Sequence, residues 1–415
     1  MKINKAYKVE LNPSNKQRTL LEKSTGVARF AYNWGLNERI NIYKSEKKAL
    51  SSIDQHKILC SKKKTEFPWM YEVSKCAPQE ALRDLDKSFK NFFRGIKKGQ
   101  KIGFPKFKSK HKSKQSFSIS YGFYISNSEV NIPKVGRIRL KEKGYIPTKN
   151  VHINSMNVSK IADKWFISVQ VEQNIPDPIN QIKLVLGVDV GIKTLATCSN
   201  GQIFENPKYL KKSKKKLAHA QRNLARKKFN KETKRSSNNR LKSKLKVQKI
   251  HYKISNQRKD ILHKMTSILA RTKPRYIVLE DLNVSGMMKN HRLAGAIGDA
   301  SFNEIKRQLS YKTSWYGGSM VEVDRFFPSS KMCCSCDQIK EDLTLEDRVY
   351  VCDCGNVMDR DLNASINLER YGVIKLKDTP SSGGIQACGE SVRLAGAFIG
   401  QEAVSLKQEE NNNLI

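Results

Sequence analysis

Acidic residues are scarce in this chain. Asp and Glu together number 39 against 78 Lys plus Arg, a formal net charge of +39, which is far beyond what solubility requires and points to a polyanion partner. Long hydrophobic runs are also absent: no stretch reaches the length of a membrane span. The start, "MKINKAYKVELN", carries charges but no apolar leader core, so nucleic acid is favoured over a membrane surface and a cytoplasmic location is expected. No Walker or dinucleotide glycine pattern occurs. Outside one window cysteine is sparse: Cys60, Cys76, Cys198 and Cys388 are scattered, whereas Cys333, Cys334, Cys336, Cys352 and Cys354 crowd together. That clustering argues for metal in a reducing compartment rather than a disulfide framework. What remains is 38% hydrophobic over 415 residues, enough for a sizeable core divided among two or three modules.

The hydrophobic period changes along the chain. Ile3, Ala6, Val9 and Leu11 sit among polar neighbours as in a strand, and "NPSNKQ" then breaks the run. From about Lys16 to Phe93 the spacing turns helical, with Leu20, Leu21, Val27 and Phe30, and later Ala81, Leu82, Leu85, Phe89 and Phe92. "GFPKFKSKHKSKQSF" interleaves Phe104, Phe107 and Phe117 with Lys106, Lys108, Lys110, Lys112 and Lys114, a composition suited to a chain lying along phosphates with rings to stack on bases. Short runs such as "GRIRL" and "WFISVQVE" read as strands of a small sheet or barrel, and "NIPDPIN" as a linker. "KLVLGVDVGIKTLATCSNGQIF" then reads as an antiparallel meander opening a new domain. Residues 209–271 read as a helical hairpin broken at "SSNN" and loaded with Lys and Arg. With few compensating acids such a face repels itself unless an anion lies against it.

Three carboxylates occupy similar settings. Asp189 lies inside the apolar strand "VLGVDVG", Glu280 ends "RYIVLE", and Asp361 precedes a short helix in "MDRDLNASINL". Each has a plainer reading: Asp189 pairing with Lys193, Glu280 facing water, Asp361 capping its helix. An acid inside an apolar strand is nonetheless costly unless it is paired or binds metal. Three together on a mixed sheet can hold two hard divalent cations, typically Mg²⁺. Such a pair, about 3.5–4 Å apart, suits phosphodiester hydrolysis. No His lies in these segments, so a histidine base has no support.

The cysteines form C-x₂-C-x₁₅-C-x-C through Cys333, Cys336, Cys352 and Cys354, matching a structural Zn²⁺ ribbon except for a second pair one residue short. A turn at Gly355 would let that pair meet one ion. The ribbon would then hold Asp361 against Asp189 and Glu280 as a rigid support.

"GVDVGIKTLAT", "YIVLEDLNVSGM", "DRFFPSSKMCCSC" and "CDCGNVMDRDLNASINL", in this order, resemble the transposon-encoded OrfB/TnpB family, relatives of the type V CRISPR nucleases. "KAYKVELNPSNKQRTLL", "RFAYNWGL", "ISNQRKDILHK" and "SYKTSWYGG" extend the resemblance over most of residues 1 to 370. It implies α/β architecture plus helical and small β modules: a RuvC-like RNase H fold with an inserted zinc ribbon, preceded by a split β-barrel wedge and a helical recognition domain. The expected division is 1–15 with 118–180 for the wedge, 16–117 for the recognition domain, 181–325 with 355–372 for the nuclease and 326–354 for the ribbon. A tail at 373–415, with "SSGG" and "QEENNN", has the composition of a flexible segment.

The resemblance also implies catalytic, metal-binding roles for Asp189, Glu280 and Asp361, with a guide RNA and target double-stranded DNA as partners, one protomer per RNA and no membrane. In such systems pairing reads the target while protein reads a short flanking motif. Candidate nucleic-acid contacts are Gln79 and Lys106, Lys108, Lys110, Lys112 and Lys114. The expected function is an Mg²⁺-dependent RNA-guided DNA endonuclease. A cleavage-inactive RNA-guided repressor and a transposase using the same site stay open.

Overall fold

The computed structural model describes residues 1–110, 112–178, 184–230, 235–344 and 346–378. Strand β1 (Lys2–Asn12) is followed by helix α1 (Asn15–Glu46). "NPSNKQ" ends the one and starts the other: Ser14 accepts from the Gln17 backbone while the Gln17 side chain accepts from the Ser14 backbone, satisfying two orphan donors of the helix start. Ser51 and Asp54 repeat the device for α2 (Ser52–Thr65). Helix α3 (Cys76–Lys97) completes the helical module, burying Ala81, Leu82 and Leu85 on one face.

Strands β2 (Ser116–Ile119), β3 (Tyr124–Ile125), β4 (Glu129–Ile132), β5 (Gly136–Leu140), β6 (Val151–Ile161) and β7 (Lys164–Asn174) join β1 in a sheet of order β2-β6-β7-β1-β5-β4-β3. Every neighbouring pair in it is antiparallel. This sheet and the helices share one core, in which Val9, Phe117, Trp165 and Ile167 meet Leu21, Leu36, Leu82 and Leu85. The division expected at residue 15 therefore falls between elements that bury a common apolar surface. The expected linker 174–180 is described only through residue 178.

The second sheet positions the site. Strands β8 (Val185–Asp189), β9 (Thr194–Cys198) and β10 (Ile203–Glu205) form the antiparallel meander. Helix α4 (Tyr209–Ala225), the short strands β11 (Phe229–Asn230) and β12 (Arg235–Ser236), and helix α5 (Asn238–Arg271) make the basic hairpin. Strand β13 (Tyr276–Glu280) then lies parallel to β8. Helices α6 (Val284–Met287), α7 (Ala294–Ala300) and α8 (Phe302–Trp315) lead to β14 (Ser319–Val323), parallel to β13. The order β10-β9-β8-β13-β14, an antiparallel meander continued by parallel strands, is the RNase H-like arrangement. After the hairpin β15 (Val349–Val351) and β16 (Val357–Asp359), helix α9 (Arg360–Asp378) returns to cover the sheet. It runs past Val373, and the remainder of the expected tail, 379–415, lies outside the described residues. No described helix is long and apolar enough to cross a membrane.

Helix α9 approaches β8 more closely than a side chain would permit. A Cβ at Gly187 would lie 1.9 Å from the Ser365 carbonyl oxygen and 2.6 Å from the Glu369 nitrogen, both backbone atoms of α9. One turn farther along, a Cβ at Gly372 would lie 2.6 Å from Val278 Cγ2 and 2.7 Å from Val185 Cγ1. Glycine on both partners sets the depth of the helix on the sheet. Gly187→Ala is expected to cost about 1–3 kcal/mol by overpacking, measurable as a lower Tm. An unchanged Tm would mean that α9 does not sit this deeply.

Candidate active site and metal centre

Strand register brings two of the acids together. Val278 of β13 is the partner of Gly187 in parallel β8, and Glu280 and Asp189 each stand two residues farther on. Residues two apart on a strand share a face, so both carboxylates project from the face that Gly187 and Val278 present to α9. Asp361 precedes Ser365 by four residues, one helical turn, and Ser365 lies against Gly187. The turn brings Asp361 to the same end of β8. The proximity is electrostatically expensive: burial first, then Glu280 and Asp361, pushes the Asp189 carboxyl up to about 8. Burial and neighbouring Asp359 likewise raise Asp361.

The plainer readings fare differently in each case. The cap of α9 is Asp359, whose Oδ1 accepts from the backbone N–H of Asp361 at 2.9 Å and of Leu362 at 3.1 Å. Asp361 is thereby relieved of capping. Among the described residues Lys193 forms no ion pair with Asp189, and its charge bears on Asp361 instead. Glu280 accepts a short hydrogen bond from the Ser329 hydroxyl, so it is oriented from the segment leading into the ribbon rather than left to solvent.

The sulfurs of Cys333, Cys336, Cys352 and Cys354 lie within 4.8 Å of one another. Cys333 Sγ is 3.7 Å from Cys354 Sγ, and Cys336 Sγ is 3.5 Å from Cys352 Sγ. Four thiolates about 2.3 Å from a tetrahedral Zn²⁺ stand roughly 3.8 Å apart, so the donor set fits that ion. The shortened pair closes through a turn: Gly355 has φ +88° and donates to the Cys352 carbonyl, while the Cys352 N–H donates to Asn356. Cys334, the fifth in the window, faces elsewhere, with its sulfur 3.6 Å from Met358 Sδ.

Polar side chains that the spacing arguments passed over join this cluster to the acids. Asn363 and Asn367, fully buried, donate to the Met332 carbonyl at 2.7 and 2.6 Å, and Asn367 also to the Ser329 carbonyl at 2.8 Å. Asn363 Oδ1 accepts from the Cys334 N–H at 3.0 Å, and Arg370 donates to the Cys334 carbonyl at 2.8 Å. Asparagine is a poor residue for a helix interior, and two of them four apart in "NASINL" were the available signal.

Three family models match: "Probable transposase" (OrfB_IS605) over 166–291, "Cas12f1-like, TNB domain" over 302–368 and "Helix-turn-helix domain" over 1–48. A Streptomyces pristinaespiralis protein named "Putative RNA-guided DNA endonuclease" is 33% identical over 98% of this chain and 96% of its own length. An Escherichia coli protein, "Putative RNA-guided DNA endonuclease InsQ", is 30% identical over 98% of this chain and 99% of its own. The chain belongs to the OrfB/TnpB family. A solved structure titled "Cryo-EM structure of the Cas12f1-sgRNA-target DNA complex" matches this OrfB/TnpB chain with TM-score 0.53 and 14% identity, over 89% of this chain and 99% of the other, a likeness of fold.

The basic segments of this family member divide into exposed and anchored parts. Lys106, Lys110, Lys112 and Lys114 are exposed, as are Lys211, Lys212, Lys214, Lys215 and Lys216 on α4. Lys108 is a correction to the expected row of phosphate contacts. Its ammonium sits 3.7 Å from the Tyr32 ring centroid, burial lowers its pKa, and Asn33 clasps its backbone N–H and carbonyl. It anchors the loop. Phe117 is likewise buried in β2 rather than available to stack; Phe104 packs edge-on against Phe89 and Phe92 yet stays exposed, as does Phe107. Gln79 accepts from the Tyr121 hydroxyl at 2.9 Å on the surface of α3.

Proposed function

We propose that this chain is an RNA-guided DNA endonuclease whose nuclease site is built from Asp189, Glu280 and Asp361. The observation that carries the reading is their convergence from β8, β13 and α9 onto one end of an RNase H-like sheet, where burial and then the charges of Glu280 and Asp361 push Asp189 up to about 8. Asp189 and Asp361, both raised, stand where a cation would offset the cost of their charges. Two Mg²⁺ ions held by these three residues would supply an activated water on one side of the phosphodiester and stabilise the leaving oxygen on the other. The chain's own contribution is placement. Ser329 fixes the Glu280 carboxylate, Asp359 satisfies the helix start so that Asp361 faces the sheet, and Gly187 lets α9 come close.

Zn²⁺ on Cys333, Cys336, Cys352 and Cys354 fills a closed four-sulfur site and so has a structural role. Guide RNA and target double-stranded DNA are the partners in this reading, with one protomer per RNA. Exposed lysines on α4 and on the 106–114 loop neutralise phosphates, while Gln79 contacts nucleic acid from α3. The names of the two relatives support the assignment.

The test is to express the chain with its flanking DNA, sequence the copurified RNA, and challenge the complex with target DNA and Mg²⁺ against a randomised flanking library. A defined RNA and guide-dependent cuts that disappear with Asp361→Ala are expected. Binding without cuts at any divalent metal would select a repressor, and strand joining by the protein alone would select a transposase.

A further inference from the structure

Phe326 is 89% exposed, the most of any large apolar side chain among the described residues, the next being Ile53 at 67%. Single exposed apolar side chains are ordinary on a protein surface. The placement of this one is not. It lies in the loop between β14 and the first cysteine, and that loop is latched to the acidic site on both sides of the ring. On one side Val323 is the register partner of Glu280, and Arg325 donates to the Asp281 carboxylate at 2.7 Å. On the other the Ser329 hydroxyl donates to Glu280. Phe326 is three residues from Ser329, so their Cα atoms are at most about 11 Å apart.

The ring is also held in its exposed position. The Asp324 carboxylate accepts from the Phe326 N–H at 2.8 Å, and the Asp324 carbonyl accepts from Phe327 at 3.1 Å. Phe327 turns the opposite way, against Tyr371 of α9 with ring centroids 5.3 Å apart, and joins the core of Val323 and Leu368. One ring of the pair anchors the loop while the other is presented to solvent beside the carboxylates.

We infer that Phe326 stacks on an unpaired base of the DNA strand whose phosphate enters the acidic site. The inference rests on the nuclease reading of that site. An aromatic face accepts any base, which suits a site where cutting must not depend on the local sequence, and it fixes the strand by its base while the acids act on its backbone. Truncation should cost about 1–3 kcal/mol, about 5-fold to 150-fold.

The first arm needs no cutting: the full chain, with its zinc retained, is titrated in Mg²⁺-free, chelator-free buffer with a single-stranded DNA oligonucleotide carrying 2-aminopurine. Quenching is expected with wild type and with Phe326→Trp, and should fall by at least half with Phe326→Ala; equal quenching by all three, or quenching confined to the RNA version, overturns the inference. In the second arm the guided complex cuts target DNA in a single turnover. Phe326→Ala should slow cutting by the factor above, with Tm and target binding unchanged because the ring contributes nothing to the core. An abasic site next to the cut should slow wild type and leave Phe326→Ala little further affected, whereas equal penalties in both overturn the stack. Base quenching that depends on Phe326 in a chain that never cuts supports the stack and refutes the nuclease reading instead.

Discussion

Asp189→Asn is expected to abolish cleavage while making the chain more stable in the absence of Mg²⁺. The side chain keeps its shape and loses only the charge that burial, and then Glu280 and Asp361, oppose. Because the folded-state value of about 8 lies above the ordinary 3.8, protonation of Asp189 favours the folded chain. That stabilisation is complete below the unfolded value and is lost as pH rises through about 8. The slope reaches about 1.4 kcal/mol per pH unit for the one proton involved. Asparagine is neutral throughout, so its advantage grows with pH: in Mg²⁺-free, chelator-free buffer at pH 8.5 we expect a Tm about 4–10 °C above wild type, shrinking at pH 5. Mg²⁺ should raise the wild-type Tm and leave the variant's almost unmoved. Loss of one metal-binding carboxylate should lower the cutting rate by at least about 10³-fold, the upper range for deleting one transition-state-stabilising group. A variant less stable than wild type at pH 8.5 would show that the three carboxylates do not share one desolvated site.

Removing the zinc proposed for the ribbon should be nearly as damaging, although a closed four-sulfur site is structural. The ribbon's own apolar cluster is Cys333, Leu343, Tyr350 and Cys352, too small to fold alone, so zinc on the proposed four-sulfur site would supply its folding energy, about 10–16 kcal/mol in zinc-finger peptides. Once it unfolds, the carbonyls of Ser329, Met332 and Cys334 no longer meet Asn363, Asn367 and Arg370, and the Ser329 bond to Glu280 goes too. Cys352→Ser should therefore release one zinc per chain by elemental analysis and lower cutting by at least about 100-fold, with RNA still bound. Cys334→Ser, whose sulfur faces Met358, should keep both zinc and activity. Zinc loss in the second variant, or its retention in the first, would reassign the ligand set.

Much of this architecture was legible because it depends on local patterns. The break at "NPSNKQ" between β1 and α1, the alternation in β1 and the helical spacing of Ala81, Leu82 and Leu85 all depend on near neighbours. Acids in or at the ends of apolar strands carry a cost readable without coordinates, and so do cysteines at two and three residues' spacing. Lys108 and Phe117 were misjudged for one reason: a basic or aromatic residue looks the same in sequence whether it faces solvent or packs against Tyr32 or a sheet core.

The sequence by itself determined the order of elements, the candidate acids and the candidate zinc thiols, because each follows from periodicity, spacing or the expense of burying charge. Only the tertiary structure decided that Asp359 and not Asp361 caps α9, and that Gly187 lets this helix sink onto β8. It alone showed that Asn363 and Asn367 tie the ribbon to the same helix and that Phe326 stands exposed while Phe327 packs half-buried against Tyr371. The cap is local, with donors two and three residues from Asp359, but which of two neighbouring aspartates takes it depends on where the helix starts. The other outcomes depend on partners tens to hundreds of residues away or on which face of a turn meets solvent, and no local pattern encodes either.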